Sequence, residues 1–316
     1  MNSYGGVQNQ VTSINLFLNN TQQFNCKIAG PNSNDFNLGK TINIPFNGSV
    51  SPVCLFPIKD QLAKALEWAD IVHIHEPFVP LIFWNLPKSK NYIFTHHASL
   101  NNFVTFLLNI LYRFIRRNGI STYVSKLAKK NAHSLNKTSY LIPNMFNLDK
   151  NIKFKQKNHF LFIGRDEKRK NLQLYKKYVN RFYDSKYSYS AITNSLISDV
   201  RINTYLNPND DKKNKILEES DIYLALNTYG ESFGITLIEA INAGNIVVCS
   251  DLDAFKHLLG ESGIYFNNNS VTSLNDCIEF VNKKDISKIW NHQNSYIQKY
   301  DIKKNMDKFI SLYLSF

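Results

Sequence analysis

Short apolar runs recur along the chain, separated by stretches in which apolar positions return every three or four residues. IVHIH at 71–75, NYIFTH at 91–96, ISTYV at 120–124 and SYLIP at 139–143 occupy the first half. HFLFIG at 159–164, SYSAIT at 188–193, VRINTYL at 200–206, DIYLALN at 221–227, NIVVCS at 245–250 and GIYF at 263–266 occupy the second. Runs of this length alternating with helical periodicity predict parallel sheets covered by helices on both faces. The segment 59–68 puts Leu62, Ala65 and Leu66 on one helical face and leaves Lys59 and Lys64 wet. The segment 209–219 opens on amides and acids suited to a helix N-terminus, and 286–316 reads as two helices. The polar stretch NLDKNIKFKQKN at 147–158 carries little to bury and is the expected linker between domains 1–146 and 159–295, with 296–316 as a C-terminal helix. At the front, Gly5 and Gly6 precede a helical pattern with no strand before it, where a doubly wound domain places its first strand.

A length of 316 residues suits two cores better than one. The formal charge of +12 is compatible with nucleic acid, an anionic membrane surface or a phosphorylated small ligand. The lysines are scattered over both halves and no recognition module emerges, so nucleic acid is not the expected partner. Cys26, Cys54, Cys249 and Cys277 are widely spaced, which predicts free thiols in a reducing compartment rather than a metal cluster. No basic region followed by an apolar run opens the chain, and no apolar stretch reaches membrane-spanning length. The expectation is a cytoplasmic protein, peripheral on the inner face of the cell membrane.

Three clusters carry candidate chemistry. GRDEKRKN at 164–171 follows a strand directly, so Arg165, Lys168, Arg169 and Lys170 crowd at a C-terminal strand end, where open α/β sheets bind ligands; a solvated charge run would look the same. In YGESFGITLIEAINAG at 229–244, a turn at Glu231–Gly234 leads into a helix whose amides and dipole suit a diphosphate, while Glu239, deeper in the helix, suits a ribose diol. An acidic helix start and a solvated helix face would equally explain these two glutamates. His73 and His75 share one face of a strand and His96–His97 ends the next, but no third and fourth metal ligand stands out. An imidazole near a sugar or phosphate, or structural histidines at a sheet edge, are the readings left open.

GGVQNQV, IPFNGSV, VHIHEPFVP, THHAS, IPNMF, GRDEKRK, YGESFGITLIEAINAG and SDLDAF appear in this order. The ordered set resembles glycosyltransferase family 4 and, within it, the bacterial phosphatidylinositol mannosyltransferases. The resemblance implies the α/β GT-B fold, two Rossmann-like domains facing across a cleft, here with the first strand of the N-terminal domain missing. It implies a retaining hexosyltransferase that moves mannose from GDP-mannose onto phosphatidylinositol or a related membrane lipid. It assigns Arg165 and Lys170 to the donor diphosphate and leaving group, and Glu231 to the transferred sugar. Phe233, Gly234 and Ile235 supply neighbouring backbone, Glu239 binds the ribose, His97 stands beside the donor sugar and acceptor hydroxyl, and Gly6 approaches the diphosphate. No metal, cofactor or obligate protein partner is implied beyond the nucleotide-sugar donor and the lipid acceptor. A UDP-sugar with another glycolipid or polysaccharide acceptor, or a catalytically silent GT-B binding protein, are the alternatives. The chain reads SPVCLF after IPFNGSV, where the family carries arginines, and its cationic loop is one residue shorter.

Overall fold

The computed structural model describes residues 6–46, 49–54, 56–77, 86–97, 105–107, 110, 117–126, 128–130, 132, 138–149, 151–231 and 233–316. The chain forms two compact units. The first takes in Tyr4–Phe46, Val50–Asn147 and Tyr300–Phe316, and the second is built on Leu148–Lys299.

The first unit opens on helix α1 (Gly6–Asn20), which buries Gln10, Ile14 and Leu18. Among the described residues no strand precedes it. Two small pairs follow, β1 (Ala29–Gly30) with β2 (Phe36–Asn37) and β3 (Ile42–Phe46) with β4 (Ser49–Val53), none of them evident as an apolar run. Helix α2 (Lys59–Trp68) buries Leu62 and Leu66, the two leucines of the face read from the sequence. The main sheet then runs β5 (Ile71–His75), β6 (Asn91–His96), β7 (Gly119–Tyr123) and β8 (Ser139–Leu141), parallel throughout and in sequential order. A Cβ on Gly119 would lie 2.6 Å from the Tyr92 carbonyl oxygen, so the β6–β7 pairing requires glycine there.

The second unit is a six-stranded parallel sheet built from β9 (His159–Ile163), β10 (Ser188–Thr193), β11 (Ile202–Leu206), β12 (Ile222–Ala225), β13 (Ile246–Ser250) and β14 (Ile264–Phe266). Its spatial order is β11-β10-β9-β12-β13-β14, so the winding reverses between β9 and β12. Helices α3 (Leu172–Phe182), α4 (Asp210–Glu218), α5 (Ile235–Asn242), α6 (Asp253–Leu259), α7 (Val271–Lys283) and α8 (Ile286–Ile297) follow the strands. The central residues of β12 and of its outer neighbour β13, from Tyr223 to Ala225 and Val247 to Cys249, are all buried, which is why these runs are continuously apolar rather than alternating.

The expectation that 147–158 has little to bury is wrong. Leu148 is buried, Ile152 and Phe154 pack on the second unit's core, and Phe154 lies 6.4 Å from the Trp290 ring. The segment is fastened at its far end by Asp221, whose buried carboxylate accepts the backbone N–H groups of Lys157, Asn158 and His159 at 2.6, 2.9 and 2.7 Å. The last helix, α9 (Ile302–Tyr313), belongs to the first unit: Ile302, Met306, Phe309 and Tyr313 join Ile14, Leu18 and Ile93 in one core. The four cysteines are free thiols.

Candidate functional site

In open doubly wound sheets the crevice beyond the carboxyl ends of the strands at the reversal of strand order is where ligands bind. Here that crevice lies beyond β9 and β12. Their register, Ile222 against Phe160 and Leu224 against Phe162, delivers the loop after Ile163 and the loop after Ala225 side by side. Gly164 leaves β9 where a Cβ would lie 2.9 Å from the Phe162 ring and 3.0 Å from Lys170 Cβ, so the cationic turn folds tightly back on the strand end. Within it the Glu167 carboxylate bridges two guanidinium groups, 3.1 Å from Arg165 Nε and 3.1 Å from Arg169 Nε. Arg169 is buried while Arg165 is the open one, its side chain 45% exposed. The Thr228 N–H donates to the Arg169 carbonyl at 2.8 Å, tying the two loops together.

Across that seam Lys170 Nζ stands 3.2 Å from Glu231 Oε2, which also accepts from Asn227 Nδ2 at 2.8 Å. Both members of the ion pair are largely covered, at 16% and 19% exposure. Gly234 then takes φ 93°, a left-handed conformation that a side chain would strain, and a Cβ there would meet the Phe255 ring at 3.1 Å. The turn lets α5 begin at Ile235 with no side chain capping its first N–H groups, and Phe233 is buried beside it. One turn on, Glu239 lies 3.3 Å from Lys213 Nζ of α4. A cavity of about 430 Å³ opens next to this seam, lined by residues that include Asp166, Lys168, Asn171, Thr228 and Tyr229.

The structure therefore brings Lys170 and Glu231 into direct contact, sets Arg165 on the adjoining loop, and puts Glu239 in the helix that starts beyond the same turn. It also adds Glu167, Asn227 and Lys213, which sequence reasoning missed. Asn227 directly follows a strand and is detectable in principle; the Lys213–Glu239 pairing spans 26 positions and leaves no local trace.

The remaining two candidates lie in the first unit. Gly6 is the exposed first residue of α1, and the preceding glycine is outside the described residues. His97 follows β6, buried beside a small cavity lined by Gln10, His75, Thr95, Asn144, Met145 and Phe309 among others. Gln10 closes one side by pairing its carboxamide with both backbone groups of Met145, at 2.6 and 2.7 Å. His97 Nε2 lies 2.9 Å from His75 Nδ1, and its backbone N–H donates to Glu76 Oε1. His75 stacks on His73 at 4.2 Å, and His73 is held at both nitrogens, 2.7 Å from Tyr313 Oη and 2.7 Å from Thr95 Oγ1. Burial holds all of these rings neutral: it pushes His73 down to about 3 and His97 to about 4, and takes His75 well below the ordinary imidazole range. The rings stack rather than converge, and among the described residues no group of three His, Cys, Asp or Glu side chains offers a metal site. The IPFNGSV motif at 44–50 lies partly outside the described residues.

The fold and the switch-point site define a GT-B glycosyltransferase. Residues 145–300 match the family described as glycosyl transferases group 1. The chain is 31% identical over 260 residues to the phosphatidyl-myo-inositol mannosyltransferase of Mycobacterium tuberculosis, an alignment covering 71% of this chain and 67% of that protein. Among solved structures it resembles sucrose-phosphate synthase from Thermosynechococcus elongatus, with a TM-score of 0.71 at 14% identity over 99% of this chain and 94% of that one. It also resembles Anabaena HepE in complex with UDP and glucose, with a TM-score of 0.63 at 12% identity over 81% and 82% of the two chains. The chain belongs to the group 1 glycosyltransferases.

Proposed function

We propose that the protein is a retaining transferase that moves mannose from GDP-mannose onto phosphatidylinositol or a related membrane lipid, working from the cytoplasmic side as a peripheral protein. The observation that carries this reading is the Lys170–Glu231 pair joined to Asn227 at the sheet's reversal, a cation and a carboxylate fixed side by side beyond the strand ends. The name of the mycobacterial relative supports mannosyl transfer and an inositol lipid acceptor. No helix among the described residues is long and apolar enough to cross a membrane, so the lipid would be met at the surface.

In this reading the donor diphosphate lies against Arg165 and Lys170, with the uncapped start of α5 and Gly6 adding backbone N–H groups. Charge that builds on the leaving phosphate is stabilised most in the transition state, which is how these cations accelerate transfer. Glu231, already held by Lys170 and Asn227, receives a sugar hydroxyl as the lysine turns to phosphate, while Phe233, Gly234 and Ile235 shape the turn around it. Glu239 accepts from the ribose diol and releases Lys213. His97 stands beside the transferred sugar and the acceptor hydroxyl. The attack comes from the same face as the departing phosphate, whose oxygen takes the acceptor proton.

The test is incorporation of label from a panel of nucleotide sugars into extracted lipids, with inositol phospholipids as one arm, repeated with Lys170→Ala and Glu239→Ala. GDP-mannose and an inositol lipid should give a mannolipid, lost in Lys170→Ala. Turnover with a UDP-sugar alone would replace the donor assignment, and nucleotide binding without any product would sink the enzymatic one.

A further inference from the structure

The cavity of about 430 Å³ beside the Lys170–Glu231 seam has no part in the donor chemistry given above. It lies wholly within the second unit, lined by the loops that follow β9, β12 and β14 and by the first turn of α3. Its volume falls within the roughly 300–1,000 Å³ of small-molecule sites. Hydrogen bonds stitch the three loops into one wall. Asn171 Nδ2 donates to Asn269 Oδ1 at 3.0 Å, and both residues are left-handed, at φ 60° and 66°. Thr228 is held on both sides: its N–H donates to the Arg169 carbonyl, and its own carbonyl accepts from Asn268 Nδ2 at 2.9 Å. The Asp166 carboxylate accepts from Ser195 Oγ at 2.9 Å, and its N–H donates to Asn194 Oδ1 at 2.6 Å.

The chemistry of that wall selects a ligand class. Among the described residues that line it, Leu172 is the only aliphatic side chain, so an apolar ligand finds little to cover. An anion meets the carboxylates of Asp166 and Glu167 against the single ammonium of Lys168, while Arg165 and Lys170 are not among the lining residues. An uncharged ligand rich in hydroxyl groups remains. The Asn171–Asn269 bond uses one end of each carboxamide and leaves an acceptor, Asn171 Oδ1, and a donor, Asn269 Nδ2. A hydroxyl both donates and accepts, so two neighbouring hydroxyls of one ring can satisfy that pair in either order. Gln173 adds a further carboxamide, and Tyr229, 43% exposed, adds a ring face with a polar tip.

We propose that this cavity is a subsite for an uncharged sugar ring of the acceptor, so that the lipid favoured for transfer already carries a glycosyl unit beside the receiving hydroxyl. The ring's role in transfer rests on the reading that Glu231 holds the transferred sugar, because Tyr229 stands two residues before Glu231 and places the cavity next to it. The binding of the ring does not depend on that reading.

Two measurements on the full chain test it. In 15N-labelled protein titrated with methyl α-mannoside, the side-chain amide signals of Asn171, Asn269 and Gln173 should shift saturably, with Asn269→Asp and Gln173→Glu used to identify them. Tyr229→Ala should weaken that response by about tenfold, the loss of one good contact. Equal shifts with glycerol, shifts with myo-inositol but not the mannoside, shifts with GDP or inorganic phosphate alone, or no response at all each overturn the proposal. In transfer assays the wild type should favour an inositol lipid that already bears a mannosyl unit over the bare lipid by about tenfold in kcat/KM. Tyr229→Ala should lose that preference with KM for the nucleotide sugar little changed, and a wild type without the preference overturns the acceptor role. No product from any donor would be the failure of the transferase reading, and the titration would still decide whether the ring binds.

Discussion

Acidification should unfasten the first unit before the second. Burial, reinforced by neighbouring His97, holds His73 and His96 down to about 3, burial holds His97 to about 4, and His75 is also displaced well downward. In the unfolded chain each ring returns to about 6.5. Between pH 7 and pH 5 the unfolded state therefore takes up close to one proton per ring while the native state takes up almost none, and stability falls with pH in proportion to that difference. For a ring at 3 or 4 in the native state the loss over this interval is about 2 kcal/mol, so the three rings together forfeit several kcal/mol, a large fraction of the roughly 5–15 kcal/mol that holds a domain together. The stabilisation is present above the unfolded value of about 6.5, declines as pH falls towards about 4 for His97 and about 3 for His73 and His96, and levels off once the native rings themselves protonate.

Urea unfolding at pH 7, 6 and 5, combined with hydrogen exchange of peptides from β5 to β7 and from β9 to β13, reads both size and place. The expected result is an earlier urea midpoint at pH 5 with protection lost first in β5 to β7. Replacing His73 with Phe should remove one ring's share of the pH dependence, about 2 kcal/mol between pH 7 and 5. Equal stability at pH 7 and 5, or acid loosening confined to β9 to β13, would refute the reasoning.

Asp221→Asn should destabilise the second unit by about 2–4 kcal/mol, because three backbone N–H groups now end on one buried carboxylate and an amide presents its NH₂ to some of them; thermal unfolding reads it, and exchange should rise first at 157–159. Gly234→Ala should cost about 1–3 kcal/mol from the left-handed φ and the 3.1 Å approach to Phe255, and it should weaken nucleotide binding in calorimetry because α5 can no longer start at Ile235 without a shift. Glu239→Gln should weaken nucleotide binding by about tenfold, the loss of one charge-assisted hydrogen bond, and lower the unfolding midpoint only slightly, since the amide oxygen still accepts from Lys213 across this largely covered contact.

The strands were legible because buried parallel strands are written as short apolar runs, and all ten read from the sequence are present with ends shifted by at most two residues. The pairs β1–β2 and β3–β4 were not. The first is two residues to a strand, and the second, divided at the Asn47–Gly48 dipeptide, has a Pro in each strand and no apolar run. The packing of Ile152 and Phe154 was missed because a few apolar residues among lysines carry no period, and their burial is decided by Trp290 more than 130 positions away. In the site, the cationic turn and the glutamates are visible as residue types. Their pairing is not, since Lys170 meets Glu231 only because β9 and β12 are neighbours, a matter of strand order rather than spacing. The alternation of His73 and His75 onto one face was likewise readable, whereas the seat that Tyr313 makes for His73 comes from the far end of the chain.

Helix starts in the second unit give an independent reason to place ligand binding at the reversal between β9 and β12. Three of the four helices that begin elsewhere supply their own caps: the Asn209 side chain accepts from Lys212 N–H at 3.0 Å, Ser270 from Ser273 at 3.1 Å and Asp285 from Lys288 at 3.2 Å, while α6 has Leu252 before its first turn and no side-chain cap. The helices that leave β9 and β12 do not. At α3 and α5 the residues before the first turn, Asn171 and Gly234, are both left-handed and neither makes a side-chain cap. An unfilled N-terminus forgoes about 1 kcal/mol of capping energy, and a left-handed Asn or Gly further narrows what can stand there. A sequence that caps α4, α7 and α8 does not lack capping residues, and α3 and α5 differ from the uncapped α6, whose Leu252 is extended, in having a left-handed residue before the first turn. Their missing caps leave backbone N–H groups and the positive ends of two helices beside Arg165 and Lys170, an arrangement that an anion completes.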